Sequence, residues 1–449
     1  MKTKNKTIAL VEIAIVLCSV FLVAIPAIAA EQKQTMQKAS VTTITTASED
    51  DYVLGVYGNA NEDNTIDMCD LTYVKLIFFG KKPATELADA KYDGKINPLD
   101  FIQIKLIIVG KEKELTVEIP ADPLQPAQIV TVHKPVERLV VLMAPSAEVL
   151  RSLNVANKIV GVGTHIRDNE VFFPELSKLP LIGTWMGPGL NYEAILTLNP
   201  DLFLAFVRSP QYLDEEKLPG VTVIGLNLHH PQGFTERVRL LGYILDKEEE
   251  AEEYIKWHEG WINKIKSRTE GLSHDENPRV FHWAFYQPGG GYRTITKRIR
   301  IHEMSGIAGG IDIAADLKGI WPTVDPEWLI EQNPDIIVVQ SYSKYIRCGY
   351  GTDDPSEMAA AREDILNRPE LAKVTAVKNG CVYIMDFIDT ATGGSCCLIG
   401  TAYMAKWFHP ELFKDLDPKA IHQEYLTRFQ GFDYDLDKHG VFVYPPLED

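Results

Sequence analysis

Cysteine is scarce in this chain, with six in 449 residues (Cys18, Cys69, Cys348, Cys381, Cys396 and Cys397). No Cys-x-x-Cys spacing marks a zinc site, and removal of an N-terminal segment would leave five, an odd number that gives no disulfide framework. The adjacent Cys396-Cys397 reads as apolar packing. Excess positive charge is also missing: the net charge is −17, which excludes nucleic acid as a natural partner. Catalytic signatures are missing too. There is no Gly-x-Ser-x-Gly elbow, Walker loop or His-Glu-x-x-His helix, and His165, His229, His230 and His282 lack the spacing that ligates a bare zinc or manganese ion. Asp and Glu are abundant, yet no local pattern selects a pair of the kind that hydrolyses glycosides.

What is present begins with an export signal. Lys2, Lys4 and Lys6 precede an apolar run, Ile13 to Ile25, and Ala27-Ile28-Ala29-Ala30 offers a small-residue cleavage site. The alternative is an uncleaved anchor, since Ile8 to Ala30 is long enough to span a bilayer. Bulky Leu17 before Cys18 argues against lipidation. Residues 31–50, rich in Thr, Ser, Gln and Lys, read as a solvated linker. The 45% hydrophobic content supports two or three domains with cores of their own.

Residues 51–113 carry an internal repeat. Asp70-Leu-Thr-Tyr-Val-Lys-Leu-Ile-Phe-Phe-Gly80 matches Asp100-Phe-Ile-Gln-Ile-Lys-Leu-Ile-Ile-Val-Gly110 at an offset of 30 (100 − 70). Each reads as a short apolar helix starting at an aspartate and stopping at a glycine. An acidic loop precedes each helix. In the first, Asn59, Asn61, Asp63, Asp67 and Asp70 hold positions 1, 3, 5, 9 and 12, and Thr65 supplies a carbonyl at position 7. The second keeps Asp89, Asp93, Asn97 and Asp100, with Lys95 where the first has Thr65. Alternating oxygen side chains of this kind converge on Ca²⁺. The unit resembles a dockerin, a duplicated loop-helix module that binds a cohesin partner. It departs from that pattern at Lys91, in place of an oxygen ligand, and at Asn64, in place of a glycine.

From about Leu115 strands and helices alternate, the pattern of an α/β fold. Buried parallel strands are expected at 138–143, 158–163, 201–205 and 221–225, and then at 279–284, 336–340 and 381–385. Asp246 reads as an N-cap, with Glu249 completing a capping box, for a helix from Lys247 to about Arg268. At about 1.5 Å per residue that helix spans roughly 30 Å. Residues 114–245 and 271–449 then form two lobes, joined by the helix at 246–270.

One phrase occurs in both lobes: Asn191-Tyr-Glu-Ala-Ile-Leu-Thr-Leu-Asn-Pro-Asp201 and Asp325-Pro-Glu-Trp-Leu-Ile-Glu-Gln-Asn-Pro-Asp335, with glutamates 134 residues apart (327 − 193). Together with the long helix and Leu142-Met-Ala-Pro-Ser-Ala-Glu148, it makes residues 115–449 resemble the substrate-binding proteins of ABC importers, in particular the iron-chelate and cobalamin group. The resemblance implies a two-lobed periplasmic-binding-protein α/β fold behind the small all-α dockerin-like domain. It implies no enzyme but an extracytoplasmic receptor, held at the cell surface, that hands a metal chelate to a membrane permease. By position, Glu193 and Glu327 are the permease-docking residues. Ser146, His165, Trp185, Arg208, Phe285, Tyr286, Arg293 and Trp321 are the ligand-contact candidates, and Trp185 and Trp321 match tryptophans that face a corrin ring in cobalamin-binding members. An iron siderophore or haem is the first expectation for the ligand, and cobalamin the second. From another class, a dockerin-bearing surface enzyme such as a glycoside hydrolase remains the alternative.

Overall fold

A computed structural model describes residues 52–184 and 189–447. The export segment, the polar stretch at 31–50 and Trp185 lie outside the described residues.

In the N-terminal unit each loop folds around the carboxylate at its twelfth position. Asp70 accepts hydrogen bonds from the backbone N–H of Asn61 (3.1 Å) and Asp67 (2.8 Å). Asp100 repeats the arrangement with Lys91 (2.9 Å) and Asn97 (2.7 Å). The helices that follow, α1 (Met68–Phe78) and α2 (Pro98–Ile108), start two residues before the aspartates. The expected start at Asp70 and Asp100 is thus corrected: Asp67 and Asn97 are the N-caps, and each aspartate closes a capping box from inside the helix. Both helices run out into glycines in the left-handed region, Gly80 (φ +63°) and Gly110 (φ +59°).

An antiparallel hairpin, β1 (Glu114–Ile119) and β2 (Gln128–His133), follows. It is tied to the unit by Tyr57 N–H to Thr116 O (2.9 Å) and Glu118 N–H to Gly55 O (2.7 Å). The first lobe comprises β3 (Leu139–Val141), α3 (Ala144–Ser152), β4 (Ile159–Gly163), α4 (Thr164–Arg167), β5 (Leu181–Gly183), α5 (Tyr192–Thr197), β6 (Leu202–Ala205) and β7 (Thr222–Gly225). Its sheet is parallel, in the order β5-β4-β3-β6-β7. β3 and β6 are buried along their whole length, the reason these strands read as unbroken apolar runs.

Two helices follow, α6 (Phe234–Leu245) and α7 (Glu248–Thr269). Asp246 does not cap α7. It sits in the left-handed conformation (φ +56°) that terminates α6, and its carboxylate pairs with Lys134 at 2.6 Å. α7 starts instead at Glu248, and three glutamates in its first turn suit the positive end of the helix dipole. Its 22 residues cover about 33 Å.

The second lobe contains β8 (Arg279–Ala284), β9 (Tyr292–Arg293), α8 (Arg300–Ile307), β10 (Ile311–Asp312), β11 (Thr323–Val324), α9 (Pro326–Gln332), β12 (Ile336–Ser341), α10 (Ser356–Leu366), α11 (Thr375–Lys378), β13 (Val382–Asp386), α12 (Gly394–Phe408), α13 (Pro418–Glu424) and β14 (Val443–Tyr444). The sheet order is β10-β8-β12-β13-β14, with only β14 antiparallel, and β9 and β11 form a separate ribbon.

The repeated phrase is one structural device used twice. Asn191 and Asp325 cap α5 and α9 by accepting from the N–H three residues on (3.0 and 2.8 Å). Asn199 and Asn333 then turn left-handed (φ +46° and +43°). Finally the aspartate clasps the first strand of its own lobe: Asp201 accepts from the N–H of Glu137 (2.7 Å) and Arg138 (2.8 Å), and Asp335 from that of Arg279 (2.9 Å).

One hydrophobic core runs from the N-terminal unit (Val56, Val74, Ile104) through the first lobe and α7 into α12 of the second. Smaller clusters cover the remaining sheet faces.

Candidate functional site

In open parallel sheets, ligands are held by loops at the carboxyl ends of the strands. In the second lobe those ends gather aromatic rings. Phe285 follows β8, Tyr342 follows β12 and Phe387 follows β13, and Trp321 leans in from the segment before β11. Ring centroids lie 4.7 Å apart for Phe285–Trp321, 5.1 Å for Phe285–Phe387 and 6.3 Å for Phe285–Tyr342. Phe285 holds this place at φ +49°, a conformation that costs a bulky residue energy and is concentrated at functional positions.

Beside the aromatic wall stands Arg300, the first residue of α8. Its guanidinium donates to Ala391 O and to Thr392 Oγ1 (2.5 Å) and lies 4.7 Å from the Phe387 ring centre. His229 and His230 approach it from the loop after β7. Burial and the charge of Arg300 hold His229 well below the usual histidine range and bring His230 to about 4, so both imidazoles are neutral. His229 packs edge-on against Phe206 at 4.8 Å, its carbonyl accepts from Cys397 Sγ (3.6 Å), and its Nδ1 is buried without a hydrogen-bond partner. His165, exposed on α4, adds a further electrostatic contribution to His229.

The other candidates divide. Trp321 and Phe285 join the cluster. Tyr286, one residue on, does not: it is fully buried, donates to Asp364 and packs on Trp283 in the core of the second lobe. That assignment is corrected, because the turn at Phe285 sends consecutive side chains to opposite sides. Ser146 is buried in the first turn of α3. Arg208 sits at the end of β6 but is committed to Glu215 at 2.5 Å. Arg293 is exposed on the β9–β11 ribbon. Arg300, His229, Tyr342 and Phe387 were not singled out as ligand contacts from the sequence. Tyr342 and Phe387 follow strands as Phe285 does, and that rule points to them; no local signal marks Arg300.

Glu193 and Glu327 are both exposed in the first turns of α5 and α9. The lobes are also joined at Glu148 on α3. Its carboxylate accepts from Tyr425 Oη (2.6 Å) and Cys396 Sγ (3.4 Å), while Gln430 donates to Ser152 Oγ (2.9 Å). Among the described residues no group of three or more His, Cys, Asp or Glu is arranged to hold a metal ion, and no helix is long and apolar enough to cross a membrane.

Two parallel-sheet lobes with a long joining helix match a known family. The profile described as "Periplasmic binding protein" covers residues 139–388, more than half of the chain. The chain belongs to the periplasmic binding protein family. As a member it is an extracytoplasmic solute-binding component of an ABC importer, and the family binds solutes without transforming them. This periplasmic binding protein is 26% identical over 295 residues to the uncharacterized ABC transporter substrate-binding lipoprotein YvrC of Bacillus subtilis, a match covering 64% of this chain and 85% of the relative. It is 26% identical over 206 residues to the vitamin B12-binding protein of Yersinia pestis, covering 45% and 69% respectively. Among solved structures, the TroA-like periplasmic binding protein FepB from Veillonella parvula superposes with a TM-score of 0.60 at 24% identity, over 70% of this chain and 96% of FepB.

Proposed function

We propose that this periplasmic binding protein captures an anionic metal chelate with a large hydrophobic face, a ferric siderophore or haem. The observation that carries the reading is the wall of Trp321, Phe285, Tyr342 and Phe387 set beside the Arg300 guanidinium. Aromatic rings bury a flat ligand surface at low entropic cost, and the positive charge of the Arg300 guanidinium, held by Ala391 and Thr392, suits ligand carboxylates or phenolates. The likeness to a vitamin B12-binding protein favours cobalamin as the second reading, since a corrin ring would stack on the same wall. Glu193 and Glu327, matched in place on the two lobes, are assigned to permease docking, where rim charges steer encounter and fix register.

The N-terminal unit is read as a calcium-binding, dockerin-like module. Asp70 and Asp100 are fully buried beneath their loops, and burial raises the Asp70 carboxyl to about 6; among the described residues no Lys, Arg or His forms an ion pair with either. A buried carboxylate of this kind calls for a cation, and the surrounding donors Asn59, Asn61 and Asp63, with the Thr65 carbonyl, are the hard oxygens that Ca²⁺ takes. A bound ion would supply the missing charge.

The test is a tryptophan-fluorescence titration with ferric siderophores, haem and cobalamin. A saturable response to an iron chelate is expected, and Trp321→Ala should weaken it by at least tenfold, ~1.4 kcal/mol. Response to cobalamin alone selects the second reading. No response to any of the three sinks the chelate assignment.

A further inference from the structure

The two acidic loops are alike in sequence and backbone, but among the described residues it is the first that is hydrogen-bonded to the solute-binding lobe. The hydroxyl of Tyr243, on α6, accepts from the backbone N–H of Ile66 at 2.9 Å and shares a hydrogen bond with Thr65 Oγ1 at 3.2 Å. Thr65 and Ile66 are the seventh and eighth loop positions, between the side-chain donors at 63 and 67. Tyr243 is held from the other end as well. Its carbonyl accepts from Lys134 Nζ (2.7 Å), which is buried in ion pairs with Glu112 (2.5 Å), at the end of the N-terminal unit, and with Asp246 (2.6 Å). In the second loop, by contrast, the side-chain hydrogen bonds of Asp89, Asp93, Asn97 and Asp100 stay within residues 89–100, and a side chain added at Gly94 would meet nothing.

We infer that Tyr243 couples cation binding in the first loop to the stability of the solute-binding lobes, while the second loop binds without that coupling. The inference rests on the calcium reading above. Ordering the first loop around a cation fixes Thr65 and Ile66, and through them the Tyr243 hydroxyl and α6. α6 in turn packs on α7, where the methyl of Ala251 lies 2.8 Å from the place a Gly242 side chain would occupy. A ligand that binds the native state alone stabilises every element that unfolds with it. The N-terminal unit is thus a cation-dependent brace on the receptor and not only a tether.

The sequence provides a reporter. All seven tryptophans lie between residues 185 and 407, and none falls in 51–113, so tryptophan-monitored unfolding follows the lobes and calorimetry with CaCl₂ follows the loops. For the full chain, saturating Ca²⁺ is expected to raise the tryptophan unfolding midpoint by roughly 3 to 6 °C over a chelator-treated sample. Asp93→Ala should retain that shift and Asp63→Ala should lose it. Tyr243→Phe and Thr65→Val, which delete one hydroxyl each, should still bind the ion and lose at least half of the shift. Calcium bound by calorimetry with an unmoved midpoint overturns the coupling and leaves the calcium reading standing. So does an undiminished shift in both Tyr243→Phe and Thr65→Val. Absence of any bound calcium in the unmutated chain overturns the calcium reading, and the coupling with it.

Discussion

Glu148 shows what burial does to a single carboxyl. It is fully enclosed between the lobes and faced by Tyr425, Cys396 and Arg151, with the carboxyl pair Asp386 and Asp389 close by. Burial raises it to about 7, against the opposing pull of its Tyr425 hydrogen bond and of Arg151. Because the folded value lies above that of the unfolded chain, the protonated form belongs to the native state. Its stabilisation is complete below pH about 4.5 and disappears as pH rises through 7. Asp386 and Asp389, also raised by burial, add to the same slope. Denaturant midpoints for Glu148→Gln should therefore be flatter between pH 4.5 and 7.5 than those of the unmutated chain, by on the order of 3 kcal/mol across the window. Equal slopes would show that Glu148 is hydrated and titrates normally.

At the scale of elements, the repeated phrase was the most legible part of the chain. Its residue types are those that a cap, a left-handed turn and a strand clasp require, so two copies declare two equivalent units. Buried strands were legible for a similar reason, since an unbroken apolar run such as Leu202-Phe-Leu-Ala205 has few other homes. Asp246 misled because Asp with Glu three residues on satisfies a local capping rule, while the residue closes α6 in the left-handed conformation and pairs with Lys134, more than a hundred residues away. Tyr286 misled because two consecutive residues after β8 were both assigned to the site, whereas their side chains leave to opposite sides and only Phe285 reaches the aromatic cluster. The clasp itself makes a graded prediction. Asp201→Ala orphans two backbone N–H groups and Asp335→Ala orphans one. The first should destabilise by about 2 kcal/mol and the second by roughly half of that, at about 1 kcal/mol per lost bond. Urea midpoints in the reverse order would remove the equivalence drawn between the two copies.

Across the whole molecule, the lobes are held together by more than one covalent crossing. α7 lies against both: His258 reaches Gly394 O (3.2 Å) and Arg268 pairs with Asp415 (2.6 Å) on the second lobe, while its Ala251 side packs on α6 of the first. The Glu148 and Gln430 contacts add a second set of links. This tertiary bracing was invisible in the sequence, because its partners are separated by up to 282 positions. For the same reason Arg300 and His229 could not be recognised as neighbours. A receptor braced in this way is expected to close little on its ligand, and the two glutamates on α5 and α9 are then expected to keep nearly the same spacing in empty and loaded forms. On the proposed docking, the permease then reads a fixed pair of charges rather than two independent ones. Glu193→Lys or Glu327→Lys alone should weaken association with permease-containing membranes by at least tenfold, ~1.4 kcal/mol, and the double reversal should abolish it. Chelate affinity should stay the same in all three, since both side chains are exposed in the first turns of α5 and α9 and take no part in the aromatic cluster. A double variant that still associates as the unmutated chain does would move the docking surface off these helices. One that loses chelate affinity as well would place the glutamates in the structure of the cleft instead of on its outer rim.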